Sequence, residues 1–155
     1  LNHGSKAILL GVGEKKRELP RGYEGSALTG ISHIASYIPG VLVLEATKSF
    51  ALHPTLAEDL LESHSDQLKQ WPFVFLVDDK NVVHNQTSFL WSIFTRFDPA
   101  FDIFAESKLV NHHSQYEFPI IVDARMKPDY PSELEVDSGI KNTVDSKWKE
   151  YNIPL

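Results

Sequence analysis

Short, uniformly apolar runs constrain this chain most. Val41–Ala46 (VLVLEA) and Phe73–Val77 (FVFLV) are five to six residues long. They show no polar alternation, and a run of that kind reads as a strand buried on both faces. Residues 7–12 (AILLGV) read the same way. Between such runs lie segments with apolar residues at helical spacing. Strands that alternate with helices, and that are apolar throughout, predict an α/β fold: a mostly parallel sheet with helices on both faces, in a single domain.

The helical segments are placed by spacing and caps. Residues 26–37 carry Leu28, Ile31, Ile34 and Ala35 at helical spacing, with Ser26 as N-cap and Pro39-Gly40 as the stop. Thr55 and Glu58 form a capping-box pattern. It opens a helix whose stripe is Leu56, Leu60, Leu61 and Leu68, closed by Pro72. A third helix runs from Gln86 or Thr87 to Arg96, with Phe89, Leu90, Ile93 and Phe94 inward. Trp91 falls about 100–200° away from these on the helical wheel and faces a different partner. Residues 102–105 and 120–124 read as short strands, and 107–118 as the loop joining them. A last helix spans 137–151, with Ile140, Val144 and Trp148 on one face, and Pro154 stops it.

Composition excludes several roles. A formal charge of −6 lacks the basic footprint of a general nucleic-acid binder. With no cysteine, the chain has neither disulfides nor thiolate metal ligands. No run of about 20 apolar residues is present to span a membrane, and no signal peptide is visible. The expected location is cytoplasmic. Because the chain opens on Leu1 and enters a strand-like run within a few residues, it is expected to be a piece of a longer polypeptide.

Candidate chemistry is sparse. Gly11-x-Gly13 follows a strand but lacks the third glycine of a dinucleotide loop, since Lys16 stands there. Lys15, Lys16, Arg17 and Arg21 interleave with Glu14, Glu18 and Glu24. The group reads as a solvated, self-paired loop, or as a docking surface carried by Leu19-Pro20-Arg21. Asp78-Asp79 lies at the C-terminal end of the central strand, where open α/β sheets collect ligands. It is also a good turn sequence. His112-His113 is the most metal-like pair, with His64, His84 and Glu106 as the other candidates. Adjacent residues diverge on extended backbone and metal sites need three or four convergent ligands, so no metal site is assigned. Nucleophile elbows and HExxH are absent. The loop 107–118 is long enough to be functional, and His112 and His113 are taken as candidate pocket-facing residues. Trp91, Arg96 and Trp148 are candidate interface residues.

One succession is more specific than composition. FVFLVDD leads to Leu90-Trp91, then Thr95-Arg96, then Asp98-Pro99. It resembles the UbiD family of reversible decarboxylases: strand, acidic turn, a helix of the type (L/M)W-x-(I/F/L)-x-(T)R, and a (D/N)P turn. PIIVDARMKP at 119–128 and HGSKAILLGVGEKKRELPR at 3–21 are similar to a branch of that family that includes menaquinone-pathway candidates. There too a His stands six residues before the Pro, as His113 does before Pro119.

The resemblance covers essentially the whole chain. It implies that residues 1–155 are the C-terminal α/β domain of a larger decarboxylase, with the catalytic flavin-binding domain absent. The implied whole enzyme acts on an aromatic or unsaturated carboxylic acid, with a place in ubiquinone or menaquinone biosynthesis. It uses prenylated FMN with Mn2+ and K+. Its catalytic Glu-Arg-Glu set matches no segment here, so this chain is expected to hold no catalytic residue, metal or cofactor. The implied partners are the upstream flavin domain of the same polypeptide and further copies in a homo-oligomer, and the implied role is oligomerisation and active-site closure. A stand-alone ligand-binding or interaction module is the alternative, because fold does not fix function.

Overall fold

A computed structural model describes residues 12–131 and 137–151. The strand expected at 7–12 and the stop at Pro154 therefore fall almost wholly outside the described residues.

The chain order is β1 (Ile31–Ile38), β2 (Val41–Ala46), α1 (Leu56–Leu68), β3 (Phe73–Val77), α2 (Gln86–Phe94), β4 (Ile103–Phe104), β5 (Ser107–Val110), β6 (His113–Tyr116), β7 (Ile120–Asp123) and α3 (Ser138–Lys147). Single 3-10 turns lie at Lys48–Phe50, Lys80–His84 and Trp148–Tyr151. Five strands form one sheet in the order β1-β2-β3-β7-β4, and β5 and β6 form a separate two-stranded ribbon.

The sheet is mixed, which corrects the expectation of a mostly parallel one. β2, β3 and β7 run parallel, while β1 and β4 pair antiparallel on the two flanks. The cause is local. Pro39-Gly40 turns the chain straight back, and a connection of two residues can join only antiparallel strands. Gly40 makes the turn possible with a φ of 82°. A Cβ there would also stand 3.0 Å from the Leu19 side chain.

β1 replaces part of the helix expected at 26–37. Its apolar residues fit a helical spacing, but Ile31, Ile34 and Ile38 are β-branched and Tyr37 is aromatic, which favours a pleated surface. The unpaired edge of β2 supplies the ladder. Ser26 caps nothing: its N–H and hydroxyl both donate to Gln67 Oε1, at 3.1 and 2.9 Å.

Parallel registers align the strand faces. Leu42, Val74 and Ile121 are laterally paired, as are Val43, Phe75 and Val122. The first set points at α1, joining Leu56, Ala57, Leu60, Leu68, Leu44, Leu76 and the fully buried Trp71. The second points at α2, joining Val77, Val82, Phe89 and Ile93. Helices thus cover both faces.

Two details of the helices differ from expectation. Thr55 stands at the N-cap of α1 but makes no side-chain cap. Its hydroxyl donates to Asp59 Oδ2 at 3.0 Å, so the box with Glu58 does not form. On α2 only Phe89 and Ile93 are buried, while Leu90 and Phe94 are 43% and 60% exposed. Nine residues make a helix of about two and a half turns, and it buries one narrow stripe. α3 is capped by Asp137, which accepts from the N–H groups of Gly139 and Ile140, and it buries none of its residues.

The expected loop at 107–118 is a hairpin. β5 and β6 pair from Ser107↔Tyr116 to Val110↔His113. Asn111 and His112, with φ of 51° and 66°, make the two-residue turn whose hand matches strand twist.

Candidate functional site

Three parallel strands release the chain at one edge of the sheet, and the charged residues of the sequence motifs gather there. β3 runs into Asp78-Asp79. β7 runs into Asp123, Ala124 and Arg125. The turn after α2 brings Arg96, Asp98 and Asp102 to the same edge.

The tightest unit is Asp123 with Arg125, 6% and 4% exposed. Residues two apart on extended backbone share a side, so the two side chains meet. Arg125 Nε donates to Asp123 Oδ1 at 2.8 Å and Nη2 to Oδ2 at 2.6 Å, a bidentate pair. The remaining guanidinium hydrogens go to backbone carbonyls: Phe50 at 2.6 Å, Ala51 at 3.4 Å and His53 at 3.0 Å. One buried cation therefore fixes the loop between β2 and α1 against the end of β7. Burial of that charge is tolerable because its donors are matched.

Lys127 performs a similar function beside it. Its ammonium donates to Arg96 O at 2.9 Å and Asp123 O at 2.6 Å, and lies 3.0 Å from Asp102 Oδ2. It ties the end of α2, the start of β4 and the end of β7 to one point. Asp78 Oδ2 accepts the Met126 N–H at 2.6 Å and lies 3.6 Å from Arg96 Nη1. Asp79 caps the following 3-10 turn through the Asn81 N–H. Tyr130 sits by Lys127, 5.7 Å from ring centre to ammonium. Burial raises its pKa above the ordinary tyrosine value of 10.0, and the carboxylates of Asp102, Asp98, Asp123 and Asp129 add to the rise.

Two clefts flank this edge. One of about 530 Å³ is lined by Asp78, Asp79, Ser92, Arg96 and Met126. The other, of about 340 Å³, is lined by His53, Phe101, Asp102, Phe104, Arg125 and Lys127. Their walls carry charges of both signs that already serve one another. The buried Arg125 and the half-buried Lys127 are spent on carboxylates and carbonyls, so these residues do not fit a flavin phosphate. The arrangement pins loops against the ends of the strands.

The other sequence candidates fall elsewhere. His112 stands in the hairpin turn and His113 opens β6, both exposed. The hairpin leaves the sheet just before β7, at the edge opposite Asp78-Asp79. His64 lies on α1, 3.3 Å from the Thr29 N–H and from Gln67 Nε2. His84 ends the 3-10 turn before α2 and is exposed. Among the described residues no group of three or more His, Asp or Glu converges as a metal would require. Trp91 is 71% exposed on the outer side of α2, beside Leu90 and Phe94. Trp148 lies in the last turn with its ring edge-on to Tyr151 at 6.3 Å. At the opposite edge Arg17, Leu19, Pro20, Arg21 and Pro39 line a cleft of about 670 Å³. No described helix is long and apolar enough to cross a membrane.

Residue-level reading of the sequence does not single out the Asp123–Arg125 pair or Lys127. The signal is present all the same: a charge follows a fully apolar strand at once, with its opposite two residues on.

Comparison with known proteins adds the context. No family model matches the chain. A protein of Chlamydia pneumoniae, named as a subunit of 4-hydroxybenzoate decarboxylase, is 40% identical over 153 residues, covering 97% of this chain and 25% of that protein. The chain is thus similar to one quarter of that relative. Uncharacterized proteins of Chlamydia muridarum and Chlamydia trachomatis are 44% and 43% identical, again over a quarter of their length. Among solved structures, the UbiD-class enzyme HmfF from Pelotomaculum thermopropionicum, in complex with FMN, aligns with a TM-score of 0.49. It is 15% identical, over 73% of this chain and 28% of that one. The vanillic acid decarboxylase of Sedimentibacter hydroxybenzoicus in open form aligns with a TM-score of 0.43 and 17% identity, over 79% of this chain and 29% of that one.

Proposed function

We propose that this chain is a docking domain, without catalytic residues of its own, from a longer UbiD-like decarboxylase polypeptide. The carrying observation is the 40% identity, over nearly the whole chain, to a quarter of a protein named as part of a 4-hydroxybenzoate decarboxylase. The substrate class proposed from that name and from the motif resemblance is an aromatic or unsaturated carboxylic acid. Prenylated FMN with Mn2+ and K+, bound by the preceding domain, supplies the electron sink. A place in quinone biosynthesis belongs to the same proposal and rests on the resemblance alone.

The proposed contribution of this chain is to hold copies of the polypeptide together and to help exclude water from the neighbouring site. Two surfaces support it. The outer side of α2 presents Leu90, Trp91 and Phe94 to solvent. α3 and its last turn present Ile140, Trp148 and Tyr151, 62%, 39% and 46% exposed. A ten-residue helix is marginal in water without a packing partner, and large aromatics are the usual centres of interfaces. Arg96, ion-paired with Asp78 at 3.6 Å, ties the end of α2 to the end of β3.

The test compares three preparations: the longer polypeptide, the same polypeptide lacking this segment, and the 155-residue chain. Each is assayed for flavin content and for decarboxylation of 4-hydroxybenzoate and related acids. The proposal expects flavin and activity in the first, and flavin with sharply reduced activity and altered oligomeric size in the second. It expects neither flavin nor activity in the third. Flavin binding or turnover by the 155-residue chain contradicts it.

A further inference from the structure

The β5–β6 hairpin is unlike the rest of the molecule. All eight of its strand residues are exposed, yet its turn is well formed and its ladder regular. An isolated two-stranded ribbon is at best marginal in water, and three strands or a packing partner are needed for independent stability. The register sorts its side chains onto two faces. One bears Lys108, Val110, His113 and Gln115. The other bears Ser107, Leu109, Ser114 and Tyr116, with no charge at all. Leu109 is 78% exposed and Tyr116 54%, and they are diagonal neighbours close enough to act as one patch.

The base of the hairpin is where the described chain enters the fold. The Arg17 guanidinium lies over the Phe118 ring, 5.0 Å from its centre. Three residues on, Pro20 accepts the Gly40 N–H at 2.9 Å, fixing the incoming segment along this edge. Lys108 pairs with Glu117 at the foot of the ribbon. A polypeptide preceding this chain would be tethered to this edge through residues 1–16, and a tether raises the effective concentration of the two parts for one another. The relatives are about four times as long as the segment they share with this chain.

We propose that the uncharged Leu109–Tyr116 face of the hairpin is a docking surface for the part of the longer polypeptide that precedes this chain, through an apolar surface on that part. This rests on the reading of the chain as a piece of a longer decarboxylase. It adds the element that makes the contact. The charged face, with Lys108 and His113, is left toward solvent or toward whatever lies beyond the junction.

Hydrogen–deuterium exchange on the native gene product and on the 155-residue chain tests it, with the intact mass of the native product recorded alongside. Peptides covering 107–116 are expected to exchange at least about tenfold more slowly in the longer product, independently of protein concentration. L109D in the longer product is expected to restore fast exchange there while peptides over β2 and β3 stay protected, which separates lost docking from lost folding. Three results overturn the inference alone: equal exchange in both forms, protection that rises with concentration and so marks a second copy, or protection that survives L109D. A native product of only 155 residues overturns both the inference and the reading beneath it.

Discussion

The two edges of the sheet are finished in opposite ways. At the C-terminal edge the charges of the loops are matched inside the chain: Arg125 to Asp123 and three carbonyls, Lys127 to Asp102 and two more. At the N-terminal edge a hairpin stands with every strand residue exposed. In an open α/β fold the C-terminal edge is where chemistry is expected. Here that edge is closed by its own ion pairs, and the unfinished surfaces lie at the hairpin and on the outside of α2. The edge where such a fold collects ligands is held by fasteners, and the hairpin and the outer side of α2 are the surfaces left bare.

Substitutions that break this contrast are ordered by burial. R125A has the largest expected effect. It strands the Asp123 carboxylate and the carbonyls of residues 50 and 53, and loss of one partner of a buried pair costs about 3–5 kcal/mol. Urea denaturation of the 155-residue chain is expected to show an unfolding free energy lower by that amount, or no cooperative transition. L60A on α1 removes a side chain 1% exposed and is expected to cost about 2–5 kcal/mol. W91A on the outer side of α2 is expected to change the stability of the chain by less than about 0.5 kcal/mol and to weaken self-association of the longer polypeptide in sedimentation velocity. If W91A destabilises the chain as strongly as L60A does, the contrast between covered and bare surfaces is wrong.

The smallest effect is alkaline. Tyr130 keeps its proton more tightly in the folded chain than the ordinary value of 10.0, because of burial and nearby carboxylates. The folded state thus favours the neutral phenol. Its contribution is fully present below pH 10 and fades as pH rises through the higher folded value. Y130F is expected to flatten the decline in melting temperature above pH 10 while leaving it nearly unchanged at pH 7.

Much of the frame is legible in the sequence. VLVLEA and FVFLV are strands because uniform apolarity fits burial on two faces, and Leu56, Leu60 and Leu68 mark α1 because leucines at that spacing make one stripe. Residues 26–37 mislead because Leu28, Ile31, Ile34 and Ala35 satisfy a helical period while the deciding influence, the open edge of β2 across the Gly40 turn, is tertiary. The 107–118 hairpin is hidden by its turn: Asn111-His112 takes the left-handed backbone usually signalled by Asn-Gly. The Arg125 fastener is half visible. Its partner Asp123 is two residues away, but its carbonyl partners are more than 70 residues distant, where no local pattern reaches.

The claim that the C-terminal edge is structural is tested most directly by D79N in the flavin-loaded longer polypeptide, with kcat/KM measured beside melting temperature and flavin content. Asp79 is exposed and caps a turn, so kcat/KM is predicted to stay within about twofold of the unsubstituted protein. A loss of about 100-fold or more, on the order of a missing general acid or base, with fold and flavin content unchanged, would contradict the account.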